Sequence, residues 1–179
     1  GYVAFEFYRR FPEWVAALIL VSTRAAPDTP QAKQSRDEMA ARVMQAGTEE
    51  IADEMAPLLL APDNYAQDKK LVAFVREMID SASVDGIVGM LSAMKNRPDS
   101  TPTLAKISVP TLIIHGEEDE IVSLAEAEAM RDAIPNAQLL VVPGAGHLPN
   151  LEQAGAFNQA VWDFLMKLET EEYGEANHG

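Results

Sequence analysis

Two short apolar segments, each followed by a polar side chain in a loop, constrain the fold of this chain most strongly. Residues 110–116 lead to Asp119, and residues 138–146 lead to His147. Unbroken apolar runs of this length are typical of strands in a parallel sheet that is covered on both faces. Residues 124–134 carry an apolar helical stripe between them. The order strand, helix, strand therefore predicts a crossover unit in a parallel sheet.

Further elements are predicted around this unit. Residues 2–11 place apolar side chains at helical spacing, and residues 157–168 carry a final helical stripe. Residues 16–22 form a third unbroken apolar run, which predicts another buried strand. The predicted fold class is therefore α/β, a parallel sheet flanked by helices. Because so small a sheet would leave an apolar edge, we expect further strands from another polypeptide or from a swapped copy of this chain.

A long helical stretch separates the first strand from the second. Residues 28–96 carry apolar stripes at helical spacing, and Gly47, Pro57 and Pro62 mark breaks between them. We predict about four helices that form a lid inserted between two strands of the sheet. The predicted organisation is a first core part (1–27), a helical lid (28–100), a second core part (101–169) and a flexible tail (170–179).

Composition excludes several classes of function. The chain has no cysteine, so it forms no disulfide, thiolate zinc site or cysteine nucleophile. A net charge of −14, from 28 acidic and 14 basic residues, repels nucleic-acid phosphates and anionic lipid headgroups. The longest apolar run, residues 14–21, is far shorter than the roughly twenty residues of a membrane helix. We expect a cytoplasmic protein with no nucleic-acid partner, no membrane partner and no cofactor.

Two alternative sites are weaker hypotheses. His115 precedes Asp119 by one helical turn's spacing and lies near Glu117 and Glu118, which would suit a metal ion. No helix holds that spacing and the other ligands are oxygens, so no metal site is predicted. A dinucleotide-binding turn at residues 144–146 is also not predicted, because Pro149 occupies the position of the third glycine.

Asp119 and His147 form the predicted catalytic pair. Functional groups of an open parallel sheet collect beyond the carboxyl ends of its strands, and both residues follow such ends. A carboxylate bonded to one imidazole nitrogen fixes the tautomer, which leaves the other nitrogen to take a proton from a nucleophile. Taken singly, Asp119 also fits a solvated loop acid and His147 a packed loop histidine. Their matched positions favour the acid and base of a hydrolytic triad.

The chain resembles the C-terminal part of an α/β-hydrolase fold protein, in the esterase and 3-oxoadipate enol-lactonase-like branch. The matching stretches are residues 1–20, 109–119 and 144–152, and Ser123 departs from the proline usual in the family. In that family a G-x-S-x-G turn carries the nucleophile, before a helix and a strand like residues 16–22. The resemblance implies that Gly1 closes this turn. The serine and the oxyanion hole would then lie in a separate N-terminal segment.

The function that the resemblance implies is hydrolysis of a small carboxylic ester or lactone, with His147 as base and Asp119 orienting it. Relatives with an aspartate nucleophile are haloalkane dehalogenases and epoxide hydrolases, and this alternative stays open. A non-catalytic binding module of the same fold is a third hypothesis, which predicts that Asp119 and His147 do not touch. Candidate substrate-binding residues are Ile121 and Leu148, beside the pair, and Met90 and Met94 in the lid, although methionine stripes are also typical of plain packing.

Overall fold

Among the described residues, the sheet has three parallel strands. The computed structural model describes the backbone of residues 1–176 and the side chains of residues 1–170. The strands are β1 (Leu18–Val21), β2 (Thr111–Gly116) and β3 (Ala137–Val142), hydrogen-bonded in the order β1-β2-β3. Leu18 pairs with Thr111, and Thr111 pairs with Ala137. The predicted parallel sheet flanked by helices is confirmed.

Helices make up most of the rest of the described chain. A single 3-10 turn, Pro12–Trp14, precedes β1. Among the described residues, no helix has the length and apolarity needed to cross a bilayer. The α-helices are α1 (Tyr2–Arg10), α2 (Pro30–Ala46), α3 (Glu49–Leu59), α4 (Pro62–Gln67), α5 (Lys69–Asp80), α6 (Val84–Lys95), α7 (Thr101–Leu104), α8 (Leu124–Ala133), α9 (Pro149–Glu152) and α10 (Ala154–Ala176).

Strand β2 is buried along its whole length because helices cover both faces of the sheet. Successive side chains of a strand point to opposite faces. Ile113 packs into a core with Phe5 and Met130 on one side. Ile114 packs with Phe164 in a second core on the other side. This two-sided burial explains the apolar run at residues 112–114 of the strand.

Strand β1 is shorter than the predicted residues 16–22. It begins at Leu18, whose N–H donates to the carbonyl of Pro110 at 3.0 Å. It ends before Ser22, whose φ of 43° lies in the left-handed region and breaks the extended conformation. Within the described part of the chain, β1 pairs with β2 alone, so its other edge is open.

The segment between β1 and β2 contains five helices, α2 to α6, and the short α7, rather than about four. The additional helix is the short α4, which begins at Pro62, a position predicted only as a break. Pro57, also predicted as a break, lies instead inside the last turn of α3. A proline there removes one backbone donor without stopping the helix at once. These helices have a small core of their own around Ala56, Leu60 and Val75.

Asp28 links the two ends of this inserted segment through hydrogen bonds to arginines. Its buried carboxylate accepts hydrogen bonds from Arg24 (3.1 Å) and Arg97 (2.8 Å), and also from Arg36. Burial raises the pKa of Asp28, but the hydrogen bonds from Arg36 and Arg97 outweigh it and lower the pKa to about 2. Asp28 is therefore a charged anchor between the start of the segment and its end.

Helix α10 extends further than the apolar stripe that predicts it. The stripe covers residues 157–168, whereas the backbone helix continues to Ala176. Helical hydrogen bonds lie within the backbone, so a helix can outlast its buried face. The predicted flexible tail, residues 170–179, stays a prediction, and residues 177–179 lie outside the described residues.

Candidate active site

Asp119 lies in the tight turn that follows β2, and its own loop holds its carboxylate. Oδ1 accepts hydrogen bonds from the backbone N–H of Ile121 (2.9 Å) and of Val122 (3.0 Å). The side chain has 0% of its surface exposed. The two or three residues that follow Asp119 therefore fix the direction of its carboxylate.

His147 lies in the loop that follows β3 and contacts the same carboxylate. Its Nδ1 is 2.9 Å from Oδ2 and 3.1 Å from Oδ1 of Asp119. Since an ionised carboxylate only accepts, Nδ1 carries the proton and donates it. Nε2 is then unprotonated, and no hydrogen bond from the described residues reaches it, since the ring bonds through Nδ1 alone. The ring is 23% exposed, so this nitrogen is available to take a proton.

The electrostatics of the pair keep Asp119 charged. Burial raises the pKa of Asp119, but the hydrogen bonds from His147 and from the Val122 N–H outweigh it, and the net pKa is lowered. A charged carboxylate beside an imidazole stabilises the imidazolium that forms when the ring takes a proton. The arrangement therefore suits His147 to act as a general base.

His115 is a second, buried histidine behind Asp119. Its Nε2 lies 4.0 Å from Oδ2 of Asp119, and neither ring nitrogen has a hydrogen-bond partner in the described part of the chain. Burial lowers the pKa of His115, while the charge of Asp119 opposes that shift. No group of three or more His, Cys, Asp or Glu side chains among the described residues is placed to hold a metal ion.

Two glycines let the loops approach each other closely. A Cβ atom on Gly116, at the end of β2, would lie 1.9 Å from the carbonyl oxygen of Gly146. A Cβ atom on Gly146 would lie 2.7 Å from the backbone nitrogen of Ala61 in the inserted helices. Both contacts are to backbone atoms, which cannot rotate away as a side chain can. The loop of His147 is thus packed between β2 and the inserted segment.

Glu152 has no role in the sequence prediction, yet it contacts this loop. Its Oε1 accepts a hydrogen bond from the N–H of Gly146 at 2.8 Å. The signal available in the sequence is a carboxylate soon after His147, at the end of the short helix α9. That signal is weak, because most such acids lie in solvent.

The four predicted substrate-binding residues fall into two groups. Ile121 and Leu148 are half-buried and adjoin the pair, through the Asp119 turn and the His147 loop. Met90 and Met94 instead line a cavity of about 900 Å³ between α1 and α6, and neither Asp119 nor His147 is among its lining residues. A role for any of the four in substrate binding stays a prediction.

Comparison with known proteins finds a matching family model and similar sequences. Residues 1–160 match the model of the "Alpha/beta hydrolase family". The chain is 29% identical over 151 residues to 3-oxoadipate enol-lactonase 2 of Acinetobacter baylyi, covering 84% of this chain and 55% of that protein.

Solved structures agree with the sequence comparison. A thermophilic esterase from Thermogutta terrifontis superposes with a TM-score of 0.90 at 42% identity, covering 94% of this chain and 62% of that one. The enol-lactonase from Burkholderia xenovorans gives a TM-score of 0.82 at 25% identity, with coverages of 90% and 60%. The chain therefore spans between 55% and 62% of the length of these relatives. On its matched residues and its fold, the chain belongs to the alpha/beta hydrolase family.

Proposed function

We propose that this chain supplies the acid and the histidine of a serine hydrolase that acts on carboxylic esters or lactones. The observation that carries the proposal is the 2.9 Å contact between His147 Nδ1 and Asp119 Oδ2, beyond the carboxyl ends of adjacent parallel strands. Two of the similar proteins are named an esterase and an enol-lactonase, which supports this substrate class.

Each half of the proposed reaction passes one proton through His147. Nε2 takes the proton of a serine hydroxyl as the serine oxygen attacks the carbonyl carbon of the ester. The imidazolium, stabilised by Asp119, then returns that proton to the departing alkoxide oxygen, and an acyl-enzyme remains. In the second half, His147 takes a proton from water, which attacks the acyl carbon, and the serine recovers its hydrogen as the acid leaves.

The serine and the oxyanion hole are proposed to come from a complementary N-terminal segment. Strand β1 has an open edge in the described chain, and such edges are normally paired or covered. Val3 and Trp14 are each 77% exposed, and Phe7 and Phe11 of the same region are also exposed. An apolar surface of this kind is typical of one that is buried in a larger assembly.

The inserted helices are proposed to act as a lid over the substrate. In this arrangement Ile121 and Leu148 contact the reacting end of the ester, and Met90 and Met94 contact its far end from the cavity beside α1. The predicted division into core, lid, second core and tail is retained as part of this proposal, and so is a cytoplasmic location.

The hydrogen bond between Asp119 and His147 favours this proposal over a non-catalytic module, for which the two residues are expected not to touch.

A fluorophosphonate probe tests the proposal directly, because it reacts with an activated serine and not with an aspartate. We expect the protein assembled with its nucleophile-bearing segment to be labelled on one serine, and the Asp119→Asn variant to be labelled far more slowly. Absence of labelling, together with a covalent alkyl adduct formed from a haloalkane, would instead indicate an aspartate nucleophile.

A further inference from the structure

We infer that Glu152 is a positioning residue, which ties the loop of His147 to the inserted helices and so makes the placement of the base depend on how those helices dock. The kinetic part of the inference rests on the proposed function. The structural part does not, because it concerns only contacts between the loop, Glu152 and helices α3 and α4.

One carboxylate oxygen of Glu152 holds both flanks of His147. Oε1 accepts a hydrogen bond from the N–H of Gly146 at 2.8 Å and from the N–H of Leu148 at 3.4 Å. These are the residues immediately before and after the base. Backbone fixed on both sides of a residue leaves its side chain little freedom to change direction.

The other carboxylate oxygen holds the inserted helices. Oε2 accepts a hydrogen bond from the N–H of Ala61 at 2.7 Å and from the side-chain amide of Asn64 at 2.8 Å. Ala61 directly precedes α4, and Asn64 lies within it. Glu152 is thus a bridge with two donors on each side.

Three further contacts join the same two parts of the molecule. The N–H of His147 itself donates to the carbonyl of Leu59 at 3.0 Å, and Asn64 donates to the carbonyl of Gly144 at 3.0 Å. Leu148 and Leu151 pack against the small core of the inserted helices. The loop of His147 therefore contacts both that segment and the Asp119 turn, where the N–H of Glu118 donates to the carbonyl of Ala145 at 2.9 Å. The carboxylate of Asp119, by contrast, is held by its own turn. A shift of α3 and α4 would therefore act on the base through its loop and change its direction relative to the acid.

The chemistry of the bridge makes it testable with a nearly isosteric change. A carboxylate offers acceptors on both oxygens, and hydrogen bonds to it are stronger than those between neutral groups. A glutamine has one acceptor oxygen and one NH₂ group. Whichever way it turns, its NH₂ faces two donors, so one side of the bridge must break.

The experiment compares Glu152→Gln with Glu128→Gln, an exposed acid on α8, in the protein assembled with its nucleophile-bearing segment. We expect Glu152→Gln to lower kcat for a p-nitrophenyl ester about 10-fold to 100-fold and to change KM by less than about threefold, well below the unfolding temperature. Glu152→Asp keeps both acceptors and should recover part of kcat. The control should match the unaltered protein.

A second measurement follows the coupling without any reaction. Asn64→Ala changes only α4, and we expect it to speed amide hydrogen exchange at Leu148 and Gly146 in the loop of His147. The double variant Asn64→Ala/Glu152→Gln should lower kcat by less than the product of the two single effects, since both substitutions break the same bridge. Asn64→Ala keeps the test available if Glu152→Gln does not fold.

The outcomes separate this inference from the proposed function. If the unaltered protein hydrolyses no ester, the proposed function fails, and faster exchange at Leu148 in Asn64→Ala still supports the coupling. If kcat and exchange in both variants equal those of the Glu128→Gln control, the inference is overturned. Faster exchange with unchanged kcat would also overturn it, because Glu152 would then be structural only.

Discussion

The two halves of the candidate pair are held in different ways. Asp119 is fixed by the backbone N–H groups of Ile121 and Val122, which belong to its own turn. The loop of His147 depends in addition on residues far away in the sequence, since the His147 N–H donates to Leu59 and Glu152 links the loop to Ala61. The position of the acid therefore depends on the sheet and its own turn. The position of the base depends also on the contact between the sheet and the inserted helices. This difference gives the two loops different sensitivities to mutation.

Apart from loss of the base itself, the largest effect is expected on the side of the acid. Asp119→Asn should lower kcat about 10³-fold to 10⁴-fold, because an amide can neither enforce the required tautomer nor stabilise an imidazolium. Glu118→Gln, on the exposed neighbouring residue, is the matched control. Ester hydrolysis by both variants, at equal concentrations of folded protein, is the measurement. Equal rates in the two variants would remove Asp119 from the mechanism.

A smaller effect is expected where the loop of the base meets the helices. Gly146→Ala places a Cβ atom 2.7 Å from the backbone nitrogen of Ala61, so the docking must shift. We expect a loss of about 1–3 kcal/mol in the free energy of unfolding, measured with denaturant. Gly155→Ala, in α10, has nothing within 4 Å and should be neutral or slightly stabilising. Equal stability of the two variants would show that the loop is not tightly packed.

The other attachment of the inserted helices, at Asp28, predicts a dependence on pH. The pKa of Asp28 is lowered to about 2, so its contribution to stability is present above about pH 4 and is lost as the pH falls toward 2. The contribution is on the order of 2 kcal/mol.

Acid unfolding of Asp28→Asn measures that contribution. The variant should be less stable at pH 7, and its stability should change less between pH 4 and pH 2 than that of the unaltered protein. Asp63→Asn, on the exposed start of α4, is the control. Parallel pH curves for Asp28→Asn and the unaltered protein would contradict a buried, ionised anchor.

The smallest effect is expected behind the acid. His115 has a lowered pKa and no hydrogen-bond partner in the described structure, so protonating it disfavours the fold. Its stability contribution is therefore full above about pH 6.5 and falls as the pH drops below that value. His115→Leu should leave kcat within a few-fold and flatten the stability curve below pH 6.5. A large loss of kcat would mean that His115 helps to hold Asp119.

The sequence could predict what depends on local pattern. Strand β2 carries an apolar run at residues 112–114 because both of its faces are covered, and this run is visible in the sequence. The strand order then places Asp119 and His147 at one edge of the sheet, which is why their contact could be anticipated.

Features that depend on distant contacts could not be predicted in this way. The end of β1 is defined by its pairing with β2, and the separation of Met90 from the pair depends on how α6 packs against α2. Glu152 is the clearest case, since its partners Ala61 and Asn64 are about ninety residues away. No local pattern distinguishes such a bridging carboxylate from a solvated one.

The most direct test of the account is ester turnover by His147→Ala, in the protein assembled with its nucleophile-bearing segment and with His115→Leu as the histidine control. We expect His147→Ala to lower kcat by about 10⁴-fold or more, while the folded fraction and the His115→Leu rate stay close to those of the unaltered protein. Unchanged turnover by His147→Ala would contradict the assignment of this residue as the base and, with it, the proposed hydrolase mechanism.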